Sequence, residues 1–152
     1  MSEFKLKWKP EDISQAVILS FGREWSTPID ERGFSVVFRK RWPSQRDPKI
    51  IYAYLGSPVC QIAARMPIAK WSSEPIESAL DYAKRGMLSP NDLIKYVGNL
   101  DRVFVIKIKE IELAPDPISL QRLSSEYGFF PSPSAVSLSV QGERVLSDLC
   151  GF

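Results

Sequence analysis

The chain has 152 residues, 44% of them hydrophobic, which suits one domain with a sizeable core and no dependence on metal or disulfide staples. Its 20 basic and 18 acidic residues leave a formal charge of only +2, so a polyanion site must come from where the charges sit rather than from their sum. Histidine is absent, which excludes an imidazole general base, a Ser-His-Asp arrangement and any zinc site that requires His.

Residues 1–14 are charged and contain proline, and they read as a flexible basic arm carrying Lys5, Lys7 and Lys9, without the apolar stretch of a signal peptide. The rest, residues 15–152, reads as a single domain. No apolar run approaches the ~20 residues of a spanning helix. Cys60 and Cys150 are far apart and have no His or Cys neighbour, so no metal centre and no cofactor is expected. A soluble cytoplasmic protein with reduced thiols is the expectation.

Ala16–Phe21 (AVILSF) has the length and composition of a buried strand. Glu24–Arg32, with Trp25 and Pro28, predicts a short helix or tight turn that packs Ile29 inward. Ser35–Lys40 is a second strand, turned off by Trp42-Pro43-Ser44. Ile50–Leu55 (IIYAYL) has the density of a central strand and ends at Gly56-Ser57-Pro58. Val59–Lys70 predicts a longer strand, in which Pro67 requires an edge or a bulge. Ser73–Gly86 has helical spacing in Ile76, Leu80 and Ala83, with Pro75 in the first turn and Gly86 as the C-terminal cap. A second helix starts at Ser89 as N-cap, with Asp92 placed to complete it, Leu93, Ile94 and Val97 as its apolar face, and Gly98 as its stop.

Asp101–Leu113 predicts one long strand with one face buried and one wet, and Ala114–Pro117 should break it. Ile118–Leu123 predicts a turn of helix, Gly128–Ser134 (GFFPSPS) a rigid loop, Ala135–Val140 the last strand, and Gln141–Cys150 a closing helix with Val145, Leu146 and Leu149 inward. Helices inserted into a mainly β chain predict an α+β fold, a small, mixed, partly closed β-barrel with a helical excursion.

The chemistry concentrates in Gly33–Arg46, GFSVVFRKRWPSQR. A short strand that ends in Arg39, Lys40 and Arg41 suits a polyanion. Strand alternation would send Arg39 and Arg41 to one side and Lys40 to the other. The same cations can instead simply blunt a sheet edge against aggregation. Trp25 and Trp42 can stack on bases, although tryptophans mostly sit against a core.

Taken in order, several pieces resemble the ASCH family of the PUA-like barrels. They are LSF-x-x-x-W (Leu19 to Trp25), FRKR-W-P (Phe38 to Pro43), IYAYLGSPV (Ile51 to Val59), LSPNDLIKYVGN, VFVIKIKEIE and FPSPS. The resemblance runs from about Val17 to Val140. It implies a cleft for RNA or a nucleotide-like ligand between the early strand, the basic strand end, the Ser-Pro turn and the C-terminal proline loop. A few members resemble small amidohydrolases or nucleases, with Lys before the second strand and Glu just ahead of its Arg. Those places fall here near Phe34 or Ser35 and at Val37, which can neither take a proton nor hold a nucleophile.

The expected function is therefore an RNA-binding, non-catalytic, regulatory domain, with DNA a possible ligand and no membrane partner. Arg23, Arg39 and Arg41 would neutralise phosphates, Phe21 and Trp25 would stack on a base, and Ser20, Ser57 and Ser134 would bond to base edges or a ribose hydroxyl. The alternatives are a hydrolase acting on a modified nucleoside or RNA, and a regulatory domain that binds another protein through such residues as Phe34, Phe129 and Phe130.

Overall fold

The computed structural model describes residues 12–152, so the expected basic arm lies, up to residue 11, outside the described residues. The elements in chain order are β1 (Ile13–Phe21), α1 (Ser26–Asp30), β2 (Val36–Arg39), β3 (Ile50–Leu55), β4 (Gln61–Pro75), α2 (Ile76–Ala79) and α3 (Pro90–Val97). They continue with β5 (Arg102–Ile108), β6 (Glu112–Ser119), α4 (Leu120–Tyr127), β7 (Val136–Ser139) and α5 (Val140–Cys150). No helix among them is long and apolar enough to cross a membrane.

The strands form one mixed sheet in the order β2-β5-β4-β3-β1-β7, with β6 added beside β4. β1 and β3 run parallel, joined by a crossover that contains α1 and β2, and the other pairs are antiparallel. β4 serves two neighbourhoods. Its first half pairs with β3 as far as Pro67, and from Ile68 it pairs with β5 across a register shift. Pro67 thus sits where β4 changes partner, just ahead of that shift, and its carbonyl accepts from Lys109 N–H at 2.8 Å.

Period-2 alternation sorts the side chains into three cores. Val17, Leu19, Phe21, Ile51, Ala53, Leu55 and Ile106 point into the curled sheet. Ala16, Ile18, Tyr52 and Tyr54, on the opposite face, are covered by α4 and α5 through Leu123, Tyr127, Leu146 and Cys150. Val36, Phe38, Val103 and Val105 are covered by the excursion through Ala79, Ala83, Leu93 and Val97. The fold is the expected α+β arrangement, and the sheet curls without closing. The gap is spanned by a side chain: Arg39, at the end of edge strand β2, donates from Nη2 to the Ser20 carbonyl of β1 at 3.0 Å.

Four expectations change. Residues 73–75 extend β4 against β5, and the helix expected over 73–86 shrinks to α2 and two short 3-10 turns. Gly86 does not cap by a left-handed backbone; it lets the excursion approach β2, where a Cβ would lie 2.6 Å from the Phe38 ring and 3.1 Å from the Val36 carbonyl. The strand expected over 101–113 is two strands, β5 and β6, and both faces of β5 are buried because the excursion covers the one expected to be wet. Ile94 is exposed, whereas Leu93 and Val97 are buried as expected.

Ser89 does cap α3, accepting from Asp92 N–H at 3.1 Å. β1 starts three residues before Ala16, and α4 runs beyond the single turn expected there. Ala114–Pro117 lies within β6 yet interrupts its ladder, which passes from Leu113 to Ile118 across a register shift.

Candidate functional site

Arg39 is the last residue of β2, and its side chain folds back rather than reaching into solvent. Nη1 donates to the Phe38 carbonyl at 2.9 Å and Nη2 to the Ser20 carbonyl, while the guanidinium carbon lies 4.7 Å from the centroid of the Phe21 ring. The residue as a whole keeps some exposure, but its charged head is desolvated, which pushes its pKa down; the nearby Tyr96 hydroxyl acts the other way. An arginine stays protonated regardless. No carboxylate pairs with it among the described residues.

Among the described residues, Arg39 helps to line two pockets. The first, about 210 Å³, is an apolar slot walled by Phe21, Trp25, Val37 and Phe38 and bounded by Arg39 and Tyr96. Its one carboxylate among the described residues is Glu24. Trp25 stands edge-on to Phe21 at 6.1 Å and to Phe34 at 5.1 Å, so the slot's aromatic wall is a braced cluster. The second pocket, about 310 Å³, is cationic and is lined by Arg39, Lys40, Arg41, Tyr96, Pro133 and Ser134.

Tyr96 is the shared post between them. It stands on α3, and its hydroxyl accepts from the Lys40 N–H at 3.2 Å while the Lys40 ammonium lies 5.1 Å from its ring centroid. The chain after Arg39 has therefore left the strand, and strand alternation no longer applies. Lys40 does not point away from its neighbours as expected; all three cations face one pocket.

The other expected residues divide. Ser20 contributes its backbone carbonyl, which Arg39 already occupies. Phe21 lines the slot but is 3% exposed, with one face under the guanidinium, so Trp25, half-buried, offers the more accessible ring. Arg41 and Ser134 line the cationic pocket, where the Ser134 N–H is tied to the Ser132 hydroxyl at 3.2 Å. Arg23 and Ser57 are exposed and line neither pocket. Trp42 is 7% exposed and packs in the central core, which removes it as a stacking surface. Phe34 and Val37 are buried apolar groups in that same core.

No protein-family model matches the sequence, and no curated protein matches it. Solved structures do match in shape. The crystal structure of an ASCH protein from Zymomonas mobilis aligns with a TM-score of 0.78 at 19% identity, covering 89% of this chain and 95% of that one. A single-site mutant of the same protein gives 0.80 at 18% identity, over 91% and 98%. This is the ASCH fold. The N-terminal domain of McrB from Staphylothermus marinus is more distantly similar, with a TM-score of 0.58 at 10% identity over 97% and 98% of the two chains.

Within this ASCH fold, sequence reasoning missed Glu24 and Tyr96. Tyr96 left a trace, since it sits between the buried Leu93 and Val97 on α3 and so borders the packed face. Glu24 left none beyond its place beside Trp25.

Proposed function

We propose that the cleft binds single-stranded RNA without reacting with it, in a regulatory role, and that one nucleotide spans both pockets. The base enters the apolar slot against Trp25 and the Arg39 guanidinium, and its phosphate rests among Arg39, Lys40 and Arg41. One observation carries this reading: a desolvated guanidinium with no carboxylate partner among the described residues forms the wall common to an aromatic slot and a cationic pocket. A buried cation is costly unless compensated, and two neutral carbonyls compensate it only in part. A phosphate oxygen completes it with charge-assisted hydrogen bonds. The likeness of fold to ASCH proteins agrees with the resemblance that implied an RNA cleft. The apolar Phe34 and Val37, at the places where the enzyme-like pattern has its polar pair, support binding without catalysis.

Fluorescence anisotropy with mixed-sequence single-stranded RNA and DNA at low salt tests the reading. RNA should bind more tightly, and affinity should fall with salt because phosphate contacts release counterions. Arg41→Ala should weaken binding evenly across sequences and reduce the salt slope by about one. Unchanged affinity in both Arg39→Ala and Arg41→Ala removes this site, and a preference for DNA replaces the ligand. Turnover of RNA or a nucleoside by pure protein, lost in Glu24→Gln, replaces binding with hydrolysis.

A further inference from the structure

We infer that Glu24 selects the base, and that the slot takes a nucleobase carrying an exocyclic amino group in preference to its counterpart that lacks one. The inference rests on the cleft reading above and adds what the slot discriminates.

The slot's polar inventory is short. Its walls are apolar, the carbonyls of Phe38 and Ser20 are engaged by Arg39, and the Tyr96 hydroxyl accepts from Lys40. Glu24 is the one carboxylate lining the slot, and it has no ion-pair partner among the described residues. An ionised carboxylate only accepts hydrogen bonds. Whatever base edge meets it must bring N–H groups: the N4 amino group of cytosine, the N6 amino group of adenine, or the N2 amino group of guanine with the N1–H beside it. Arg39, which also lines the slot, only donates, so it suits the acceptor atoms that these bases also carry. The carboxylate also repels a phosphate, which steers that end of the ligand to the cationic pocket.

Glu24 is exposed, and the local backbone sets its place. It lies in the 3-10 turn Arg23–Trp25, so the same turn presents the acceptor and the stacking ring. Its carboxylate folds back over Gly22, where a methyl group would come within 3 Å of both oxygens. Gly22 has φ −65° and ψ 164°, an extended backbone that alanine adopts freely. Gly22→Ala therefore displaces the carboxylate while keeping its charge and the fold.

Calorimetric titration with two nucleotide pairs isolates the amino group: cytidine against uridine 5′-monophosphate, and guanosine against inosine 5′-monophosphate. The amino-bearing member of each pair should bind roughly 5- to 30-fold more tightly. Glu24→Gln and Gly22→Ala should each bring both ratios close to one with melting temperature unchanged. Equal affinities within the pairs for the unaltered protein, or ratios that survive in both variants, overturn the role of Glu24 and leave the cleft reading intact. Failure of all four nucleotides to bind also overturns it; if RNA oligomers then fail as well, the cleft reading falls with it.

Discussion

Two arginines in this protein lie over phenylalanine rings at nearly the same distance, and they differ in almost everything else. Arg39 sits 4.7 Å from the centroid of Phe21, and Arg65, on the far side of the sheet, sits 4.4 Å from that of Phe152. Arg65 has a counter-charge: its Nη2 donates to Glu112 at 2.8 Å and its Nη1 to the Ser147 hydroxyl at 3.3 Å, and the Glu112 bond is the main reason its pKa is raised. Arg39 has two carbonyls and the nearby Tyr96 hydroxyl but no carboxylate among the described residues, and burial pushes its pKa down. The ring contact is common to both and says little. Among the described residues, the missing carboxylate separates a residue that ties α5 to the sheet from one that, on the proposed reading, receives an anion.

The sharpest way to break that contrast is Arg39→Met, which keeps length and removes charge. RNA affinity should fall about 100-fold, the upper part of what one specific arginine contact supplies. Stability in urea should change by less than about 1 kcal/mol, because relief from a desolvated charge offsets two lost hydrogen bonds. A loss of several kcal/mol would make Arg39 a strut that spans the open side of the sheet, and the contrast with Arg65 would fail.

The α5 side carries a pH dependence of its own. The Tyr52 hydroxyl donates to Glu143 at 3.3 Å, and burial, with the Glu143 charge adding to it, pushes its pKa up from 10.0 to about 12. Burial, then Asp116, pushes the Cys150 thiol up from 9.0 to about 12. Both groups are neutral in the fold and ionise more readily in the unfolded chain. Their contribution is therefore complete below about pH 9 and is lost as pH rises through 12. The unfolding free energy measured in urea should drop by roughly 4 kcal/mol from pH 8 to 11. Tyr52→Phe should flatten part of the fall; an identical slope in that variant would detach Tyr52 from the effect.

The same contrast bears on what the sequence made legible. Ile50–Leu55 stands where its β-branched and aromatic density put it, and Arg39 could be singled out because a run of cations at a strand end is a local signal. The carbonyl that holds its guanidinium belongs to Ser20, nineteen residues away on another strand, and the post beside it to Tyr96 on α3. Neither follows from spacing, because each depends on how far the sheet curls. Ser73–Gly86 misled for a related reason. Its helical periodicity is real at Ile76 and Ala83, but pairing with β5 holds Ser73–Pro75 in β4, and Gly86 answers to Phe38 rather than to a helix end. The reversal at Lys109–Ile111 was hard to see because it holds neither Gly nor Pro and apolar residues resume at Ile111 and Leu113; the switch of partner between β5 and β6 along β4 reveals it.

The smallest effect belongs to Arg65→Met. Arg65 and Glu112 side chains are 24% and 29% exposed, so solvent screens the pair, and its removal should lower stability by about 1 kcal/mol rather than by the several of a fully buried pair. The methionine keeps an apolar contact with Phe152, so most of the loss should come from the bond to Glu112. A double-mutant cycle with Glu112→Gln isolates that share, and coupling near 1 kcal/mol is expected. RNA affinity should not move, since Arg65 lines neither pocket beside Arg39. Weaker RNA binding in Arg65→Met at unchanged stability would mean that the ligand also runs across the α5 side, and the absent carboxylate would no longer tell the two arginines apart.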